Sequence, residues 1–168
     1  MRIEDTPEST APSFGFLVRN PAHIIALGFG AGLAPFAPGT FGTLVAVPIY
    51  MLLRDRLADG PMAAAIVAYL LVGTWAAQVA GRNLGDADHG SIVCDEIVAF
   101  LAVLYFVGDA PLHVALAFVV FRFFDIVKPP PIRRVEQALA GGIGVMADDL
   151  VAAGYTLLAV AALARLIG

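Results

Sequence analysis

The sequence predicts an all-α protein, a polytopic membrane bundle of helices with a cytoplasm-facing polar site. Three observations carry this. Hydrophobic residues make up 60% of the 168 residues and charged residues 14%, against about 25% charged in an ordinary soluble domain. The mean hydropathy is +0.84. The few charges are bunched between long charge-free runs. These features exclude a disordered chain, a coiled coil and a basic nucleic-acid-binding domain, and a net charge of −4 offers DNA or RNA no attraction. A single cysteine, Cys94, excludes a disulfide framework and a multi-cysteine metal site.

The elements follow in chain order. Residues 1–18 carry Glu4, Asp5 and Glu8 and lack a basic stretch followed by an apolar core, so they predict a polar, disordered tail rather than a signal peptide. Residues 19–168 predict one helical domain. Between Pro21 and Leu53 there is no Asp, Glu, Lys or Arg, but Gly28, Gly30, Gly32, Pro35, Pro38, Gly39 and Gly42 interrupt the run. One straight helix does not hold that many breakers. The reading is a short helix, a Gly/Pro loop at 32–42 and a helix at 43–53.

Met62 to Ala80 is a charge-free run of 19 residues, long enough to cross a hydrocarbon core of about 30 Å. A polar segment, 82–96, leads into a helix at 92–107. After a turn at Gly108–Pro111 comes a helix at 112–127, stopped by Pro129-Pro130-Pro131. These two helices reach spanning length only by including polar neighbours, which sets Asp95, Glu96, Arg122 and Asp125 near headgroup depth. Arg133–Gln137 reads as a short helix and Gly141–Gly144 as a flexible joint. The last helix, 148–165, is entered through Asp148 and Asp149.

If each long helix crosses once, the loop 32–42 and segments 82–96 and 122–149 share one face. That face holds Arg82, Arg122, Lys128, Arg133 and Arg134, and the other holds Arg54, Arg56 and Arg165. The positive-inside bias puts the shared face in the cytoplasm.

Four polar clusters meet there. Asp88 and Asp95 are seven apart, as are His89 and Glu96, so each pair shares a helical face if that helix begins early. Arg122, Asp125 and Lys128 follow one another at intervals of three. Asp148 and Asp149 form a second acidic pair, and Gly39, Thr40, Gly42 and Thr43 form a loop. Ionisable groups at membrane depth cost about 2.5–3.5 kcal/mol each on insertion scales, so they call for a reason. Carboxylates from several helices are hard oxygen ligands suited to a divalent cation such as magnesium. Arg122 and Lys128 suit phosphate oxygens, as do glycine and threonine amides at a helix start. Acids for a metal and bases for a phosphate, at a membrane surface, indicate chemistry on a phosphorylated lipid headgroup.

Four motifs then resemble the phosphatidylglycerophosphatase A family. They are Gly28-Phe-Gly30-Ala-Gly32-Leu-Ala-Pro35-Phe-Ala-Pro38-Gly39-Thr40-Phe-Gly42-Thr43, Asp88-His89-Gly90-Ser91-Ile-Val-Cys94-Asp95-Glu96, Phe121-Arg122-Phe-Phe-Asp125-Ile-Val-Lys128-Pro129 and Gly141-Gly142-Ile-Gly144-Val-Met-Ala-Asp148-Asp149. The resemblance covers roughly residues 20–165. It implies an all-helical, magnesium-dependent hydrolase that converts phosphatidylglycerophosphate to phosphatidylglycerol and phosphate in the bacterial inner membrane. Asp95, Glu96, Asp148 and Asp149 are then the expected metal ligands. Arg122 and Lys128 hold the phosphate, Asp125 or Asp88 is the general base, and His89 protonates the leaving alkoxide. Cys94 departs from the motif, where some relatives carry a bulky aromatic, which argues against a catalytic thiol.

Plainer readings compete. Both acidic pairs suit helix N-termini, Asp125 suits a structural ion pair, and Thr40 and Thr43 suit caps. Glycine pairs also permit close helix packing in membranes. Rival enzyme classes fit poorly. A cysteine phosphatase needs an arginine six residues after its nucleophile, and residue 100 is Phe. A haloacid-dehalogenase-type enzyme needs a strand before Asp86 and Asp88. The aspartate spacing of CDP-alcohol phosphatidyltransferases is absent. The alternative of another class is an ion or proton transporter with carboxylates as a relay.

Overall fold

Among the residues described by the computed structural model, 12–130 and 141–167, there are helices and turns and no strand. The order is α1 (Phe14–Arg19), α2 (Pro21–Ala26), a 3₁₀ segment (Gly28–Leu33), α3 (Pro38–Arg54), α4 (Asp59–Leu84), α5 (Cys94–Val107), α6 (Pro111–Val127) and α7 (Gly141–Ile167). Residues 14–18, expected in the tail, are helical. Ser13 Oγ accepts the Phe16 N–H at 3.2 Å, and Leu17 is buried. His23 fastens this corner. Its ring stacks on Phe16, Nδ1 lies 2.8 Å from the Phe16 carbonyl, and Nε2 lies 2.8 Å from Asn83 Nδ2 on α4.

The Gly/Pro stretch is shorter as a loop than the expected 32–42. Ala37, at φ +44°, turns the chain, and α3 starts at Pro38, where a fixed φ and a missing N–H are least costly. Gly42 is therefore helical, and its glycine character serves packing, since a Cβ there would collide with Val93. A Cβ on Gly32 would strike the Ser91 carbonyl. The Val93 N–H completes the seam by donating to the Ala26 carbonyl at 2.9 Å. The glycine-rich stretch thus clamps residues 91–93, which lead straight into α5.

Helix α5 is the core. Ile97, Val98, Ala99, Phe100, Leu101, Val103 and Leu104 are buried, and α3, α4, α6 and α7 all pack on it. At 1.5 Å per residue its 14 residues cover about 21 Å, short of the roughly 30 Å of a bilayer core. Its neighbours shield it, so it needs no full span of its own.

Two described helices, α4 and α7, are long and apolar enough to cross a membrane. Only 28% of the most apolar stretch of α4 is buried, whereas a soluble core helix would be mostly covered. Val67, Leu71 and Trp75 stand exposed on it. An uncovered apolar face of that length is consistent with a membrane helical bundle.

The expected joint at Gly141–Gly144 is instead the first turn of α7. The Gly142 N–H donates to Gln78 Oε1 at 2.9 Å, and a Cβ on Gly142 would strike the Thr74 carbonyl. Close packing on α4 is what the glycines permit. Asp148 and Asp149 consequently lie about two turns inside α7, which removes the capping reading for them. The short helix expected at 133–137, with Arg133 and Arg134, lies outside the described residues.

The starts of α3, α5 and α7 and the end of α6 meet at one end of the bundle. Arg54 pairs with Asp59 at 3.0 Å at the other, where the Tyr105 hydroxyl reaches the Asp59 carbonyl at 3.4 Å. A Gly42→Val variant is expected to lose about 1–3 kcal/mol through overpacking, measured as a lower Tm in detergent. Gly154→Ala, where a Cβ meets open space, should not lower Tm.

Candidate active site

The N-terminus of α5 and the third turn of α7 bring Asp95, Glu96 and Asp149 together. Their carboxylate oxygens lie within 4.8 Å of one another. Asp95 and Asp149 are buried, and Asp95 Oδ1, Glu96 Oε2 and Asp149 Oδ2 are buried oxygens with no hydrogen-bond partner. Full charges 4–5 Å apart repel by about 4 kcal/mol per pair at an effective dielectric of about 20. Burial without hydrogen bonds adds further cost. Three hard oxygen donors around one point therefore fit a divalent cation of the magnesium class. The first turn of α5 also places Asp95 and Glu96 at the positive end of its dipole, and Val93 at its N-cap makes no side-chain cap.

Arg122, near the end of α6, borders the cluster. Its Nη1 lies 2.5 Å from Asp125 Oδ2 and 3.9 Å from Glu96 Oε1. It also donates to Thr43 Oγ1 at 3.4 Å, and Thr43 Oγ1 donates onward to the Gly39 carbonyl at 2.9 Å. The i, i+3 spacing on α6 makes the Arg122–Asp125 pair. Asp125 also lies within electrostatic range of Asp149 and Glu96, so this ion pair abuts the carboxylate cluster. Gly39 is required here, because a Cβ would collide with the Glu96 carboxylate.

The other expected site residues meet further neighbours. Asp148, expected as a fourth metal ligand, pairs with Lys128 Nζ at 2.6 Å and stands outside the three-carboxylate group. On a helix, residues 148 and 149 differ by about 100° in direction, so they serve different neighbours. Lys128, expected on the phosphate, is the left-handed C-cap of α6 at φ +44°, held beside Asp148. The phosphate cradle expected from Gly39, Thr40, Gly42 and Thr43 is also revised. Because α3 begins at Pro38, the Thr40 and Phe41 N–H groups donate to the Ala37 carbonyl at 2.9 and 3.4 Å. Gly42 and Thr43 fall inside the helix.

Asp88 and His89 do not share a helical face with Asp95 and Glu96, because α5 begins at Cys94. Asp88 is exposed on the preceding loop, with its N–H on Asp86 Oδ1 at 3.2 Å. His89 is buried, and its Nδ1 accepts the Ser91 N–H at 3.1 Å. In a neutral ring that leaves the proton on Nε2. Cys94 is buried between α4 and α5, with Sγ 3.7 Å from the Gly73 carbonyl, a packing role rather than a nucleophile's. Tyr69 escaped the sequence reading. Its hydroxyl is buried without a hydrogen-bond partner, within electrostatic range of Asp95. The available signal was one phenol in an otherwise apolar run.

Comparison with known proteins gives a consistent result. The family model described as Phosphatidylglycerophosphatase A matches residues 24–164. The chain is 39% identical over 145 residues to a Haemophilus influenzae protein named Phosphatidylglycerophosphatase A, covering 86% of this chain and 89% of the relative. It is 37% identical over 134 residues to an Escherichia coli protein of the same name, covering 79% and 77%. It is 38% identical over 152 residues to a Bacteroides thetaiotaomicron protein named "Putative phosphatidylinositol-3-phosphatase", covering 86% and 94%. No solved structure matches.

Arg122→Met should leave Asp125 unpaired in a largely buried setting and lower stability by about 3–5 kcal/mol. The double variant Arg122→Met/Asp125→Leu should recover most of that loss, read as Tm in detergent. Equal Tm for the single and double variants would sink the coupling.

Proposed function

The chain belongs to the phosphatidylglycerophosphatase A family and is a phosphoric monoester hydrolase, and on that premise we propose that it hydrolyses phosphatidylglycerophosphate to phosphatidylglycerol and phosphate. The observation that carries this reading is the convergence of Asp95, Glu96 and Asp149 beside Arg122. Phospholipid biosynthesis is the proposed context. The ion-transporter alternative is set aside, because membership of the family makes the chain a phosphatase.

Asp95, Glu96 and Asp149 are the proposed magnesium ligands. A bound divalent cation supplies positive charge against the phosphomonoester and acidifies water. Arg122 binds phosphate oxygens, and Asp125 fixes its guanidinium so that the donors need no reorganisation as charge develops. Lys128, oriented by Asp148, adds a second positive charge at the edge of the site. In hydrolysis a water oxygen bonds to phosphorus and the ester P–O bond breaks. The water's proton passes to a carboxylate, for which Asp125 and Asp88 are candidates. The leaving glycerol oxygen takes a proton from His89 Nε2.

The uncovered apolar faces of α4 and α7 support membrane residence. The proposed location is the bacterial inner membrane with the site toward the cytoplasm, on the positive-inside bias of Arg82, Arg122, Lys128, Arg133 and Arg134 in the sequence over Arg54, Arg56 and Arg165.

Purified protein in detergent should release phosphate from phosphatidylglycerophosphate with magnesium and stop when chelator is added. Asp95→Asn and Asp149→Asn should each lower kcat by more than the roughly 10–100-fold that outer-shell changes cost at metal sites. No release with magnesium would overturn the reading. For topology, single cysteines at Ala58 and Ala87 should label from opposite sides, Ala87→Cys from the cytoplasm, while buried Cys94 stays unlabelled.

A further inference from the structure

We propose that the cleft between α3 and α6 is an acyl-chain subsite for the lipid whose phosphate is held at Arg122. This rests on the phosphatase reading above and adds the part of the site that takes the hydrophobic body of the substrate. The two helices both pack on α5, but along their length they pack little on each other. The gap between them is a cleft of about 600 Å³, lined by Leu44, Val47 and Met51 from α3 and by Val114, Phe118 and Val119 from α6. Its walls are apolar along these helices, and Asp109 stands at its far mouth.

The position of the cleft selects its occupant. The Arg122 to Thr43 hydrogen bond bridges α3 and α6. One helical turn away from that bridge, at i−4 and i+4, come Phe118 and Val47, which both line the cleft. The cleft therefore opens directly beneath the guanidinium that would hold the phosphate. From Leu44 to Met51 it follows about 10 Å of helix at 1.5 Å per residue. Phe118 meets Phe100 of α5 edge-on at 5.9 Å, which gives the cleft a packed floor. Leu44, Met51 and Val119 are 47%, 46% and 64% exposed, so the side facing the bilayer is open to a chain sliding in laterally.

A larger apolar cleft of about 720 Å³ lies between α6 and α7, lined by Leu112 and Leu163 among others. It sits at the opposite end of the bundle, away from the carboxylates, and does not continue any phosphate-binding residue. A lipid bound by its phosphomonoester at Arg122 reaches the α3–α6 cleft with its acyl chain across the glycerol–phosphodiester–glycerol linkage that separates the two.

The test fills the cleft. Ala115 also lines it and is exposed, so Ala115→Trp narrows the groove without disturbing the core. With long-chain phosphatidylglycerophosphate in mixed micelles, Ala115→Trp should raise KM by about tenfold or more, the scale of small steric changes in apolar pockets. On the deacylated headgroup, kcat/KM should stay within about twofold of wild type. Leu71→Trp, on the outward face of α4, should change neither. Equal losses on both substrates, or no loss on the long-chain lipid, would overturn the subsite. A second measurement is independent of turnover. Phosphatidate with a photoreactive acyl chain should label 44–51 and 114–119, and Ala115→Trp should reduce that labelling. Even labelling of all outward faces, including Leu71 and Leu158, would overturn the proposal. If wild type hydrolyses no phosphatidylglycerophosphate yet labels in the cleft, the substrate assignment fails and the subsite stands.

Discussion

Crowded negative charge in a buried place is the constraint around which this bundle is organised. Asp95, Glu96, Asp125, Asp148 and Asp149 face Arg122 and Lys128 at one end of the helices. Two described cations do not balance five carboxylates, and solvent is largely excluded, so repulsion is weakly screened. Such a cluster persists only if the surrounding packing holds it or a cation completes it. Packing does hold it here, and the unpartnered oxygens of Asp95, Glu96 and Asp149 fit the cation proposed above. Like charges assembled at a cost in stability are characteristic of sites where the charge is used.

The packing that holds the cluster comes from glycines. Gly32 and Gly42 let the 3₁₀ segment and α3 press on Ser91 and Val93, Gly39 makes room for the Glu96 carboxylate, and Gly142 brings α7 onto α4. Each contact sets the position of a helix that carries a carboxylate: α5 for Asp95 and Glu96, α7 for Asp149. In a membrane, where association gains little from hydrophobic burial, close backbone approach is a main source of helix contact. Gly39 and Gly42, read along the sequence, look like part of a phosphate-binding loop. Folded, they are the surfaces on which the charged helices rest.

The bundle also divides labour by length. Helix α5 is short, buried and carries Asp95 and Glu96, while α4 and α7 are long and keep apolar faces uncovered. A lipid phosphatase has to meet a headgroup and its acyl chains at once. A buried carboxylate end beside a lateral apolar cleft meets both requirements, and the Arg122–Thr43 bridge stands at the junction.

Much of this was legible in the sequence alone. Hydropathy and bare apolar runs determined a helical membrane protein, and residue types determined that carboxylates and basic groups would gather at one end. These follow from composition and from helical periodicity, which are local. Pairing was not local. Asp148 and Asp149 are indistinguishable as neighbours in a sequence, but one helical step turns the first toward Lys128 and the second toward Asp95 and Glu96. Asp88 and His89 stand seven residues from Asp95 and Glu96, a spacing that has meaning only if one helix contains all four, and α5 begins too late for that. The glycines at 141–144 were ambiguous between a hinge and a helix contact until Gln78 and Thr74 stood opposite them. Sequence determines which groups are available and roughly at what depth. Direction around a helix axis, and the neighbour met there, are decided by tertiary packing, because a rotation of about 100° per residue turns adjacent side chains toward different partners.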